Sequence, residues 1–152
     1  MTRPISTRVH GLIDYSWAAT ATALSSRVDG ATSTARLLRG AAATATASSV
    51  ATNYEAGAIR VLPMKAHLAL DYALCAVLVA APLYVPPHER RYALVPVLLG
   101  LAGFVTALLT QPRSPLELDE EFGVMYGGRL VSEVVDMDPD VVESRTLRLH
   151  IE

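Results

Sequence analysis

Two short stretches carry the residues best suited to chemistry. They are Arg8-Val9-His10-Gly11-Leu12-Ile13-Asp14-Tyr15 and Lys65-Ala66-His67-Leu68-Ala69-Leu70-Asp71-Tyr72. Each places a basic residue first, His two positions later, and Asp-Tyr four and five after the His, at a constant offset of 57 residues. On a helix, the i, i+4 spacing puts His and Asp on one face, about 6 Å apart. Two such pairs admit two readings. In one, His–Asp hydrogen bonds fix the start of each helix and pair the two halves, an Asp in a first turn also suiting the helix dipole. In the other, His10, Asp14, His67 and Asp71 form a metal, haem or proton-transfer site, with Tyr15 and Tyr72 as neighbours able to bond the opposite Asp.

Other candidates are weaker. Asn53, Glu55 and Arg60 fall between the two halves, where Asn53 and Glu55 can cap helices or bond the His/Asp faces. Asp136, Asp138 and Asp140 alternate as in a calcium loop, but the Gly and distal Glu that such a loop requires are missing. That leaves a solvated turn. Cys75 is the only cysteine, which rules out an intrachain disulfide and a Cys-based zinc site. There is no GxSxG, phosphate loop or HExxH. The sequence thus assigns no catalytic residue, names no cofactor or specific metal, and suggests no enzyme.

The elements that must carry the pairs are apolar. Of 152 residues, 51% are hydrophobic and 18% charged, and the apolar mass is Ala, Leu and Val. A bilayer core needs about 20 mostly apolar helical residues. Residues 92–111 and 66–85 meet that length, the first without a charge and with Pro96 near its start, the second stopped by Pro86-Pro87. Residues 9–26 and 34–52 are weaker, being rich in Ala, Thr and Ser, but the repeat supports them. The expected fold is therefore an all-α membrane protein. Four transmembrane helices form two parallel helix-pair repeats, about 5–53 and 62–111, within a domain 1–111. The second helices align loosely at an offset near 60, Gly40 with Gly100 and Thr46 with Thr106. Small residues at fourth positions (Gly40, Thr44, Ser48, Thr52) suit close helix packing, with the Leu/Val-rich third and fourth helices more exposed. Arg3, Arg8 and Ala21-Thr22-Ala23 imitate a signal peptide, but His10 and Asp14 interrupt its apolar core.

Charge divides the chain. Residues 1–111 carry nine Arg/Lys against five Asp/Glu, and residues 112–152 carry four Arg against ten Asp/Glu. This predicts an acidic aqueous tail over 112–152, a short hairpin or disordered. No basic cluster is interleaved with aromatics, so nucleic acid is not an expected partner. The expected partners are the lipid bilayer and a second copy in a homo-oligomer, with the small-molecule ligand unknown. The expected location is the cell (inner) membrane, multi-pass, with both termini on the cytoplasmic side.

The stretches ISTRVHGLIDY and ATNYEAGAIRVLPMKAHLALDY, with the four-span layout, resemble small bacterial membrane proteins of the SPW-repeat type. Those carry a His-x3-Asp-Tyr-like helix start in each half, usually followed by Ser-Pro-Trp. Here Ala81-Pro82-Leu83 keeps only the Pro in the second half, and Ser16-Trp17 comes too early in the first. The resemblance covers residues 5–111 and implies topology but no reaction or ligand. The functions it leaves are a non-enzymatic scaffold or interaction protein, a transporter or channel subunit acting as an oligomer, and a metal- or haem-binding protein built on the paired His/Asp.

Overall fold

A computed structural model describes residues 3–28 and 31–117. The tail turn at Gly127-Gly128, the strand-like 146–152 and Asp136, Asp138 and Asp140 lie outside the described residues. Two long helices, α1 (Thr7–Ser25) and α2 (Thr32–Ala51), form the first half. The second half comprises α3 (Met64–Val79), the single turn α4 (Ala81–Tyr84), a 3-10 helix (Pro87–Tyr92) and α5 (Leu94–Leu109). Ser6 caps α1 through its side chain, which accepts from the Val9 N–H.

Among the described residues no helix is long and apolar enough to cross a membrane. This corrects the four-span transmembrane fold, the membrane and transmembrane assignments, and the multi-pass inner-membrane location with its cytoplasmic termini. The physical reason differs between helices. Apolar content along 66–85 and 92–111 is real, but the backbone divides it. Helix α3 stops at Val79, Pro82 starts a separate turn, and Tyr92 belongs to the 3-10 helix. What remains of α3 and α5 is 16 residues each, about 24 Å at 1.5 Å per residue and short of a core about 30 Å thick. Helices α1 and α2 have 19 and 20 residues but are dominated by Ala, Thr and Ser, with Arg36 and Arg39 inside α2.

Packing follows residue size. Helix α1 packs chiefly on α2, and α3 on α5, with α1 also meeting α5 and α2 meeting α3. The α1/α2 seam is made of Ala18, Ala21, Ala42 and Ala45, and Trp17, Leu74 and Leu99 close over it. The close approach that small side chains permit draws α1 and α2 together, and contacts of α1 with α5 and of α2 with α3 join the halves. On α5 only Pro96, Gly100 and Ala107 are buried, while Leu98, Leu101, Phe104, Val105 and Leu108 stay exposed.

The halves are stitched by matching backbone contacts. Ile5 forms a parallel bridge with Thr110, and Leu62 forms one with Thr52. In each, the segment leading into one half's first helix pairs with the end of the other half's last helix. The symmetry-related positions are thus Thr52 with Thr110 and Ser48 with Thr106, not Thr46 with Thr106. Gly40 and Gly100 are not equivalent either. A Cβ on Gly40 would meet nothing within 4 Å, whereas one on Gly100 would lie 2.8 Å from the Cys75 carbonyl oxygen.

Two carboxylates serve as remote helix caps. Glu89, buried in the 3-10 helix, accepts from the Ser33 and Thr34 N–H groups and the Thr34 hydroxyl at the start of α2. Burial alone raises a carboxyl pKa, but these donors outweigh it and hold Glu89 below the usual carboxylate range. Glu117 accepts from the Met64 N–H at the start of α3, and Ser114 donates to the Asn53 carbonyl at 2.6 Å. Residues 112–117 therefore pack with the helices, in a compact unit that runs from Met1 to Glu117.

Candidate metal centre

The repeat brings its two His/Asp pairs to a single point. His10 and Asp14 sit on successive turns of α1, and His67 and Asp71 do the same on α3. The two imidazole Nε2 atoms are 3.2 Å apart. His10 Nε2 lies 3.3 Å from Asp14 Oδ2 and 3.1 Å from Asp71 Oδ2. His67 Nε2 lies 3.0 Å from Asp14 Oδ2 and 3.2 Å from Asp71 Oδ2. Both histidines are fully buried, and both Asp side chains retain 13% exposure. Each Asp lies closer to the histidine of the other half than to its own, so the pairs are exchanged rather than closed within one helix.

The remaining ring nitrogens fix the tautomers. His10 Nδ1 is 2.8 Å from Thr110 Oγ1, and His67 Nδ1 is 2.9 Å from Thr52 Oγ1. A hydroxyl has a single hydrogen. Thr110 spends its hydrogen on the Thr106 carbonyl, and Thr52 on the Ser48 carbonyl. Each Thr must therefore accept from the imidazole, which places the Nδ1 proton on both rings. In a neutral ring Nε2 is then a bare lone pair. Two nitrogen lone pairs and two carboxylate oxygens face one another at 3.0–3.3 Å across five separations. Four acceptors this close repel unless a cation or protons lie among them.

The surroundings are not symmetric. Ser49 donates to Asp14 Oδ2 at 3.0 Å, whereas the matching place beside Asp71 is Ala107, which has no donor. Tyr54 lies fully buried with its ring 5.7 Å from that of His67. Gly11 makes room for it, since a Cβ there would fall 2.6 Å from Tyr54 Cε2. Burial, with the nearby Asp14 charge, pushes the Tyr54 hydroxyl well above its ordinary pKa. That hydroxyl lies near Ser49 but has no hydrogen-bond partner of good geometry among the described residues. Burial and the Asp71 and Asp14 charges likewise push the Cys75 thiol up to about 11, so it stays protonated at neutral pH.

Electrostatics bind the four groups together. Burial alone would lower the His67 pKa, yet hydrogen bonds to Asp14 and Asp71 and their charges raise it to about 9. Burial would raise the Asp71 pKa, yet hydrogen bonds from His10 and His67 hold it below its usual value. The other residues singled out in the sequence are placed elsewhere. Tyr15 donates to the Ala56 carbonyl at 3.1 Å, and Tyr72 packs edge-on to Phe104. Neither bonds an Asp of the centre. Glu55 accepts from the Thr7 hydroxyl at 2.8 Å. The Asn53 N–H donates to the Leu62 carbonyl, and Arg60 is exposed in a left-handed turn with φ 57°. Thr52, Thr110, Ser49 and Tyr54 were not expected at the centre. Thr52 and Thr110 were legible only as helix ends on matching sides of the repeat.

Thr52 and Thr110 set ring orientation, so their removal is expected to weaken any ion held at Nε2. Thr52→Val and Thr110→Val should each lower metal affinity by about 10–100-fold with the helical content unchanged. A competition titration against a chelator of known affinity measures this. Unchanged affinity in both variants would refute a tautomer-setting role.

Comparison with known proteins gives no match among family models, curated proteins or solved structures.

Proposed function

We propose that His10, Asp14, His67 and Asp71 hold one divalent transition-metal ion and that the protein is a metal-binding helical protein rather than a scaffold without a ligand. The observation that carries this reading is the convergence of four acceptor atoms on one point. Five of their six separations are 3.0–3.3 Å and all lie within 4.8 Å, and the five short ones match donors held about 2 Å from one ion, the length of zinc–imidazole and zinc–carboxylate bonds. Two imidazoles and two carboxylates suit Zn(II), Fe(II) or Mn(II). The charges of two carboxylates balance a divalent ion, which reduces the cost of burying it. The Thr-to-His-to-metal arrangement supplies the outer partner that ligating imidazoles ordinarily have. A porphyrin does not fit between nitrogens 3.2 Å apart, so the haem form of this idea is set aside.

A second reading is supported by the raised His67 and lowered Asp71 pKa values. In it, protons fill the same space, and imidazolium–carboxylate bonds brace the two halves without a metal. The deciding experiment is to strip the purified protein with a chelator, reload it with Zn(II) and remove excess ion. The expected result is one metal per chain. In a parallel unfolding run, free Zn(II) at about a thousand times its dissociation constant should add about 4 kcal/mol of stability. Substoichiometric metal and an unchanged unfolding temperature would leave the proton brace as the better account.

A further inference from the structure

Beside the four acceptor atoms lies a cavity of about 30 Å³, more than the roughly 10–15 Å³ that one water requires. Its wall includes His10, Asp14 and Asp71 but not His67. The cavity therefore adjoins the face of the centre that His10, Asp14 and Asp71 form. The rest of the wall is largely apolar: Ile13, Trp17, Ala45 and Leu74, with Cys75 and Gly103 side by side in it. A Cβ on Gly103 would lie 2.8 Å from Cys75 Sγ, so a larger residue there must intrude on this wall. The Trp17 indole N–H is turned away to the Leu99 carbonyl at 3.1 Å, and the Thr106 hydroxyl donates to the Ala102 carbonyl. Neither Trp17 nor Thr106 thus offers a free hydrogen to an anion, which leaves the weak S–H donor of Cys75.

From these features we infer that the metal centre, in its Fe(II) form, takes an additional, exogenous ligand through this face, and that the ligand is a small uncharged diatomic molecule such as dioxygen or nitric oxide. This rests on the metal-binding reading above. A fifth ligand in this cavity would reach the ion from the side that His10, Asp14 and Asp71 border. Size and polarity select the ligand. The cavity is too small for an organic substrate, and an apolar wall that offers only the weak Cys75 S–H donor disfavours an anion, whose desolvation would go largely uncompensated. A neutral diatomic loses little solvation on entering and bonds to the metal alone. Binding is reversible coordination, with no bond broken and no electron transferred out of the complex.

The test uses the intact chain loaded anaerobically with Fe(II), with iron content measured first and nitric oxide as the probe. One iron per chain and a new S = 3/2 nitrosyl signal in electron paramagnetic resonance are expected, saturating at one nitric oxide per iron. Gly103→Val fills the cavity and should lower nitric oxide affinity at least tenfold while iron content stays at one per chain. Cys75→Ala enlarges it and should retain the nitrosyl signal, which provides a second reading if Gly103→Val does not fold. Full iron with no nitrosyl signal in the unsubstituted protein overturns the open-face inference and leaves the metal centre standing. So does a nitrosyl signal that survives Gly103→Val unchanged. Failure to take up iron or zinc at all removes the metal-binding reading and this inference together.

Discussion

Substitution of either histidine, His10→Ala or His67→Ala, is expected to take bound metal from one ion per chain to none under conditions that saturate the unsubstituted protein. The expectation follows from the number of donors. Among the described residues four acceptor atoms meet at the centre, and Cys75, in the wall of the adjoining cavity, is a protonated thiol. Losing an imidazole leaves one nitrogen and two carboxylates around a cavity, so affinity should fall by more than the roughly hundredfold that loss of an outer partner causes. Asp14→Asn and Asp71→Asn separate the two fillings of the centre. An amide oxygen still accepts a hydrogen bond, so in a proton-filled brace Asn should restore much of the stability lost by Asp→Ala. It does not supply the charge that balances a divalent ion, so in a metal centre Asn should resemble Ala in both metal content and unfolding temperature. Metal analysis and thermal unfolding on the same six samples distinguish the outcomes. Full metal retention by either histidine variant would end the four-ligand assignment.

The second large effect is a divergence between metal-free and metal-loaded protein as pH changes. His67 has its pKa raised in the folded protein, from an ordinary 6.5 to about 9. Its contribution to stability is therefore fully present below about pH 6.5 and is lost as pH rises through about 9. Asp71 has its pKa lowered, so its contribution is present above the ordinary carboxylate value and is lost as pH falls through the folded one. Metal-free protein should accordingly be most stable in the mildly acidic range and unfold at lower temperature by pH 9. The metal-loaded protein should behave in the opposite sense over that interval. The ion must displace the proton from His67 Nε2, so affinity should rise about tenfold per pH unit for each proton displaced until pH reaches about 9. Thermal unfolding from pH 5 to 9.5, with chelator or with Zn(II), would show two curves that separate with rising pH. Metal-free stability that climbs between pH 6.5 and 9 would contradict the electrostatic account of His67.

The relation between residues and structure is uneven. The equal spacing of His10/Asp14 and His67/Asp71 was legible because a repeat offset and an i, i+4 spacing are both local, and together they place four side chains on two helix faces. What was not legible is the exchange. Nothing local says that Asp14 sits nearer His67 than His10, or that Thr110 serves His10 while Thr52 serves His67. Those partnerships depend on how two helix pairs dock, through contacts of α1 with α5 and of α2 with α3 that no local motif encodes. Tyr15 and Tyr72 illustrate the converse. They repeat as faithfully as the histidines, yet they lie one position past the Asp, and the helix turns them to the Ala56 carbonyl and to Phe104. Hydropathy misled at the level of length. Summing apolar residues over 92–111 ignored the 3-10 helix that ends at Tyr92 and the extended Thr110 that ends α5. Glu89 was invisible as a cap because it closes α2 from more than fifty positions away.

The matched bridges at Ile5/Thr110 and Leu62/Thr52 have a historical consequence. Each half supplies one His, one Asp and the Thr that orients the other half's His, so neither half alone contains a complete centre. A chain of half this length would have owned two donors and reached four only by meeting its twin about a twofold axis. Joining two such chains end to end removes the requirement for identity between the partners. The present sequence has used that freedom: Ser49 stands beside Asp14 and Ala107 beside Asp71, and Trp17 faces the cavity where the other half has Leu74. Carrying both halves in one chain thus allows a centre whose two sides differ and can be selected separately.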